Sequence, residues 1–457
     1  MSDHRHSSAS GPAGDDGATA TAAATDDRYP PLRKNRTFLR FFAGQFVTNA
    51  GDSLYSVAVL WLVFELSGST VLTGLANSLL LLPFMCQALA GPVVDRFPVK
   101  LVLVGAQVGQ GVVVLVLPLA AAAGALTVEL LLVTIPVLSL LTLLVSPVPA
   151  TLVPRIVADD QLSRSNSALA TISLGLDMVF DALGGLFIAL FGATALFVLD
   201  SATFAVATVL YAGMRVPSVA EESEHAGGSK RSETPETSPL AEYLADLRAG
   251  VDALRGTVFV EMVVTSAVFN FAVGVTLAIL PAFGQLRGGP AVYGALLGAL
   301  GIGRLVGSVA ASSLTGVSYG RLKAVSYLAA ACCWVGSVYA SSVALTVGLF
   351  GLAWVAAGVS AVLVRTLNQK MFPADLLGRV SALKGTASTA TLPVGSLVGG
   401  FVADALGIVT TMGLAALGFG FAGCYFAFRG RLRRLPAVDD ADPAAFGVDV
   451  DVDGDSD

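Results

Sequence analysis

Charge is what this chain has least of. Only 13% of its 457 residues are Asp, Glu, Lys or Arg, against ~25% in an ordinary soluble domain. With 54% hydrophobic residues and a mean hydropathy of +0.75, a soluble fold is excluded. Histidine is almost missing: His4, His6 and His225 all lie in polar stretches. No apolar segment therefore carries a histidine base or a His/Cys metal cluster, which argues against a membrane-embedded hydrolase. No Gly-x-x-x-x-Gly-Lys-Ser/Thr loop occurs, so a pump with its own ATP site is excluded. The four cysteines, Cys86, Cys332, Cys333 and Cys424, sit in apolar runs without ligand spacing. They are expected to be small apolar core residues. Nothing asks for a cofactor, a metal or a nucleic acid, and the reading is not an enzyme. The polar, acidic first 27 residues lack the basic start and apolar centre of a signal peptide. The first apolar run is expected to serve as its own insertion signal.

What is abundant is long apolar runs. Runs of roughly 20 residues match a ~30 Å hydrocarbon layer. Twelve are predicted, at 38–66, 72–94, 100–122, 128–150, 166–190, 194–214, 258–284, 291–314, 322–343, 345–366, 379–403 and 407–428. They are too long and too little alternating for barrel strands. The expected fold is an all-α membrane protein of twelve transmembrane helices in two six-helix, pseudo-symmetric halves. Glycine, 49 residues in all, suits close helix packing in lipid.

Basic residues mark every second gap. They include Arg33 and Lys34, Arg96 and Lys100, Arg155 and Arg164, Arg215 and Arg248, Arg321 and Lys323, Lys370 and Arg379, and Arg429 to Arg434; Arg287 alone breaks the pattern. The positive-inside rule then puts both termini in the cytoplasm and makes the span count even. The expected setting is the plasma membrane, as a multi-pass monomer in the bilayer.

The chain divides into a disordered segment 1–37, a six-helix half 38–214, a linker 215–257, a second half 258–430 and an acidic, disordered tail 431–457. The linker is polar up to Ser238. Leu240, Leu244, Leu247, Val251 and Leu254 then form one helical stripe. From Pro436 the tail holds eight Asp and no base, and lysines number six against 21 arginines. That composition fits either a high-salt cytoplasm or an ordinary acidic tail. Arg164-Ser-Asn-Ser-Ala-Leu and Gly184-Gly185-Leu-Phe recur as Arg379-Val-Ser-Ala-Leu and Gly399-Gly400-Phe, both at an offset of about 215 residues. Such a duplication places a binding site on the axis between the halves.

Gly91-Pro-Val-Val-Asp95-Arg96-Phe-Pro-Val-Lys100 resembles the signature loop of the major facilitator superfamily, with Pro98 in place of its second glycine. Gly44-Gln45-Phe-Val-Thr-Asn-Ala-Gly51-Asp52, followed by Trp61-Leu-Val-Phe-Glu-Leu-Ser-Gly-Ser, resembles the branch that exports macrolides and siderophores. Two features depart from drug antiporters. The fourth span has no basic residue, and Phe180 and Asp181 stand where Gly-Pro would be. The resemblance covers about 38–430. It implies that Gly91, Asp95, Arg96, Lys100 and Arg379 form a gating loop, with Asp95 capping the start of the eleventh span.

A charge at mid-membrane costs ~2.5–3.5 kcal/mol, so it needs water or a partner. Four such charges stand out: Asp52, Asp177, Asp181 and Arg304. Asp177 and Asp181 share a helical face. The resemblance implies that either can pair with Arg304, as a switch, as a fixed bridge, or not at all. Asp52 lies on a stripe with Gln45, Thr48 and Asn49, which suggests a cavity wall holding a proton or cation site. Ser266 and Asn270 make a weaker stripe opposite. Tyr55, Phe269 and Trp354 are candidate cavity aromatics. The function expected is secondary active export of a small amphiphilic molecule, with protons as the coupling ion. The alternatives are an importer or uniporter, or a sensor or scaffold that transports nothing.

Overall fold

The computed structural model describes residues 30–83, 97–215, 248, 254–372 and 374–446. A helix occupies each of the twelve predicted positions. Span 1 is Arg36–Ser67 and span 2 begins as Thr70–Leu80. Span 3 is Val99–Ala122, span 4 Val128–Val145 continued by Val148–Ile156, span 5 Leu162–Phe191 and span 6 Ala193–Ala212. In the second half span 7 is Val258–Arg287, span 8 Pro290–Ala310, span 9 Tyr319–Val338 and span 10 Val343–Met371. Span 11 is Ala374–Thr389 continued by Thr391–Leu406, and span 12 is Ile408–Ala415 continued by Leu417–Phe428. Among the described residues nine helices are long and apolar enough to cross a membrane by themselves. Span 2 is described only in part, span 5 has a polar first half, and span 9 carries Arg321 and Lys323.

Local chemistry sets the ends. Asn35 caps span 1, accepting from the Phe38 amide at 3.0 Å, and its Nδ2 donates to Ile156 O at the end of span 4. Ser69, Thr127, Thr257 and Ser342 cap spans 2, 4, 7 and 10 in the same way. Spans 5 and 6 meet at Gly192 (φ 80°, ψ 158°), and spans 11 and 12 at Gly407 (φ 86°, ψ 153°). A side chain is strained at such a positive φ. The two glycines are 215 residues apart, the offset of the sequence repeat.

Three expectations need correction. Residues 431–446 are packed against the bundle. Leu432, Leu435, Val438 and Phe446 are buried among Val258, Phe259, Leu363 and Leu367. The Tyr319 amide donates to Pro436 O at 3.0 Å and Lys370 Nζ donates to Val438 O at 2.8 Å. Aspartate count hid the apolar residues spaced between the charges. Three of the four cysteines are not core residues: Cys332 and Cys424 are exposed and Cys333 is half-buried, while Cys86 lies outside the described residues. Lys323, read as a loop cation, is 7% exposed inside the second half, with Nζ 2.5 Å from Ser360 Oγ and 4.5 Å from the Tyr327 ring centre. Most of the proposed linker helix and the last eleven residues lie outside the described residues.

Candidate transport site between and within the halves

The repeated glycine pairs build the seam. The first glycine of each pair packs on span 1 of its own half or that span's counterpart: a Cβ on Gly184 would meet Val57, and one on Gly399 would meet Val275. The second glycine packs across to the other half. A Cβ on Gly185 would lie 2.4 Å from Gly294 of span 8, and one on Gly400 would lie 2.6 Å from Thr70 O of span 2. Only glycine permits that approach. Hydrogen bonds reinforce the seam: Thr70 Oγ1 donates to Gly400 O at 2.9 Å, and Asn77 Nδ2 to Ser396 Oγ at 2.7 Å. Trp61 stacks on Tyr293 across it, ring centres 5.9 Å apart.

These contacts lie toward the membrane face remote from the termini. The span 5–span 8 contact runs from Gly185 against Gly294 to Met178 against Gly301. Beyond Met178 it stops: a Cβ on Gly175 would meet nothing within 4 Å, and neither would one on Gly385 of span 11. The described halves are thus joined on the far face, while Gly175 and Gly385, nearer the face where span 1 begins, border open space.

Asp181 stands inside the seam. Its Oδ1 accepts from Ser53 Oγ of span 1 at 2.5 Å, and it interacts electrostatically with Tyr293 of span 8. Arg304 is exposed where the seam ends. It lies about 200° around the helix from both Ile302 and Val306, which are outward-facing and exposed. Arg304 thus occupies a different face of span 8 from Ile302 and Val306. Ala182 is level with Gly298, so Arg304 lies about 9 Å further along the axis. Among the described residues Arg304 makes no ion pair. Asp177 stands one turn from Asp181 on span 5, nearer the level of Arg304.

The stripe on span 1 divides. Asp52 lines a cavity of about 130 Å³ within the first half, bounded by spans 1, 2, 3, 4 and 6. Gln45 and Asn49 are half-buried on the same side, and Asn49 Nδ2 bonds back to Gln45 O at 2.7 Å. Thr48 does not belong to the cavity wall: it is 4% exposed and donates to Gly44 O at 3.1 Å, in the close seam of spans 1 and 6. Tyr55 does line the cavity, its ring 5.7 Å from that of Phe197.

The same cavity contains a residue that sequence reading missed. Asp200 of span 6 is fully buried and lines it, within electrostatic reach of Asp52. Thr203 Oγ1 donates to Asp200 Oδ1 at 3.2 Å. A Cβ on Gly51 would come 2.3 Å from that oxygen, so a glycine there gives the carboxylate its room. The available signal was an acid in the middle of the run Phe197-Val-Leu-Asp200-Ser201, the test that singled out Asp52. Gln110 of span 3 completes the polar wall, donating through Nε2 to Thr142 Oγ1 at 2.9 Å; behind it Gln107 Nε2 donates to Gln110 Oε1 at 3.2 Å.

In the second half aromatic rings fill the corresponding interior. Phe269 packs against Tyr327, Trp354 and Phe419, ring centres 5.8, 6.0 and 4.8 Å away. Trp354 is 2% exposed in the same cluster. Trp354 is a core residue, not a cavity aromatic, and Phe269 is half-buried at the edge of the same cluster, because spans 9, 10 and 12 pack on the face that helical spacing alone left open. Asn270 Nδ2 donates to Ser388 O at 3.1 Å, tying span 7 to span 11 of its own half, and Ser266 is half-buried one turn away.

Of the proposed gating loop, Gly91, Asp95 and Arg96 lie outside the described residues. Lys100 Nζ donates to Met214 O at 2.9 Å, joining the start of span 3 to the end of span 6. Arg379 lies on the first helix of span 11.

Twelve spans in two halves joined by a glycine seam define a secondary transporter of the major facilitator type. The sequence matches the family described as transmembrane secretion effector over residues 27–453, and the chain belongs to that family. No protein of curated function matches it. Solved structures resemble it in fold. A bacterial homologue of the human lysosomal transporter Spinster, inward-facing and unoccupied, superposes with TM-score 0.64 at 12% identity, over 88% of this chain and 98% of that one. The nucleoside transporter NupG gives 0.62 at 12% identity, over 86% and 98%. A bacterial homologue of the iron transporter ferroportin, also inward-facing, gives 0.60 at 17% identity, over 88% and 100%.

Proposed function

We propose that this protein is a proton-coupled exporter of small amphiphilic molecules in the plasma membrane, with both termini in the cytoplasm. The observation that carries this reading is the position of Asp181. It is bonded to Ser53 of its own half and lies within electrostatic reach of Tyr293 of the other, so the field around it changes whenever the seam opens. A carboxylate that loses its partners in one state and regains them in the other couples proton binding to rocking of the halves. In this reading Arg304, exposed at the end of the seam, meets an anionic group of the span 5 face or of the cargo as the halves move. The family description, secretion effector, supports export over import.

The test is transport in proteoliposomes. Amphiphilic cationic dyes and macrolides are offered with and without an imposed pH gradient, for the unaltered protein and Asp181→Asn. The expected result is gradient-driven movement in the unaltered protein and at least a tenfold loss of gradient dependence in the variant. Dye movement indifferent to the gradient would remove proton coupling. Movement only in the inward direction would remove export.

A further inference from the structure

The cavity inside the first half calls for a ligand of its own. Among the described residues its lining holds two carboxylates, Asp52 and Asp200, and no basic side chain. Two carboxyl groups that face one enclosed space in the membrane are a ready-made oxygen donor pair for a cation. Size limits what it can be. About 130 Å³ is well below the ~300–1,000 Å³ of sites for drug-sized ligands. It has room for an ion with a few waters, at ~30 Å³ each. Asp200 is 0% exposed, yet its Oδ2 has no hydrogen-bond partner among the described residues. The Tyr55 hydroxyl, buried near Thr134, also makes no hydrogen bond. Ser139 Oγ directs its proton to Leu79 O at 3.2 Å, and Thr142 Oγ1 accepts from Gln110. The oxygens that remain are all hard donors.

We infer that Asp52 and Asp200, with Tyr55, Gln110, Ser139 and Thr142 around them, form a binding site for a hard divalent cation inside the first half. Two carboxylates balance the ion's charge. Oxygen-only surroundings select Mg²⁺, Ca²⁺ or Mn²⁺ over softer metals. An ion held there ties span 1 to span 6 at Gly51, where a Cβ would already meet Asp200 and Thr203. The inference is independent of the cargo and of proton coupling, because binding is measured without transport.

The test uses the full-length protein purified in detergent, titrated with Mn²⁺ while free Mn²⁺ is read by electron paramagnetic resonance. The expected result is one Mn²⁺ per chain, displaced by Mg²⁺ or Ca²⁺, and accompanied by a rise in melting temperature. Asp200→Asn and Asp52→Asn should each weaken binding at least tenfold. Asp200→Glu, which keeps the charge but lengthens the side chain against span 1, also weakens it and covers the case in which the amide variant does not fold. Asp404→Asn, at an exposed acid of span 11, and the double variant Asp451→Asn with Asp453→Asn in the tail should bind as the unaltered protein does. No stoichiometric Mn²⁺ on the unaltered protein, equal binding with Asn at 200, or binding lost with the tail aspartates would each overturn the site.

Discussion

Spans 1, 3, 4 and 6 of the first half and spans 7, 9, 10 and 12 of the second occupy corresponding places, and their interiors are opposites. The first encloses Asp52, Asp200, Gln110 and Thr142 around open space. The second is filled by Phe269, Tyr327, Trp334, Phe350, Trp354 and Phe419 in one cluster of rings. Rings packed edge to face hold a helix bundle rigid. A polar cavity trades that packing for a site. The contrast teaches that the duplicated frame sets the positions of the helices, and that each half then uses its interior differently: one as a block, the other as a container.

The contrast can be broken in order of expected effect. Phe419→Ala removes the ring that touches Phe269, Tyr327, Trp334 and Trp354, and should cost about 3–5 kcal/mol of stability, read as a lowered melting temperature in detergent. Stability unchanged within error would mean that the second half is not a packed block. Gly51→Ala puts a methyl against Asp200 and Thr203. It should cost about 1–3 kcal/mol and also weaken Mn²⁺ binding, a double effect that no substitution in the ring cluster should show. Asn77→Ala breaks the bond to Ser396 across the seam. It should cost about 1 kcal/mol of the contact between halves, read as increased labelling from the far face of a cysteine placed at Val71, beside Gly400. Asp200→Asn should change the melting temperature least, since no hydrogen bond to Oδ2 is lost, while removing the cation site. A large destabilisation there would make Asp200 a structural residue.

The seam was more legible than the sites. Gly184-Gly185 and Gly399-Gly400 announce themselves by repetition, and each does the same work in its half. Asp181 stood out as a charge in an apolar run. Thr48, Phe269 and Trp354 were misplaced because helical spacing says which residues share a face, but not which neighbouring helix covers it. Lys323 was misread for a related reason: a lysine one turn inside a span counts as a loop cation until Ser360 and Tyr327 are seen around it.

What the amino-acid order determined by itself was the solvent, the number of crossings and the internal duplication, because run length, charge spacing and repeat offset are one-dimensional quantities fixed by a bilayer's thickness. What only the tertiary structure decided was which polar residues meet. Asp52 and Asp200 are far apart in the chain and come within reach only because Gly51 lets span 6 approach span 1. Which buried charge becomes a site and which becomes core depends on that approach, and no periodicity records it.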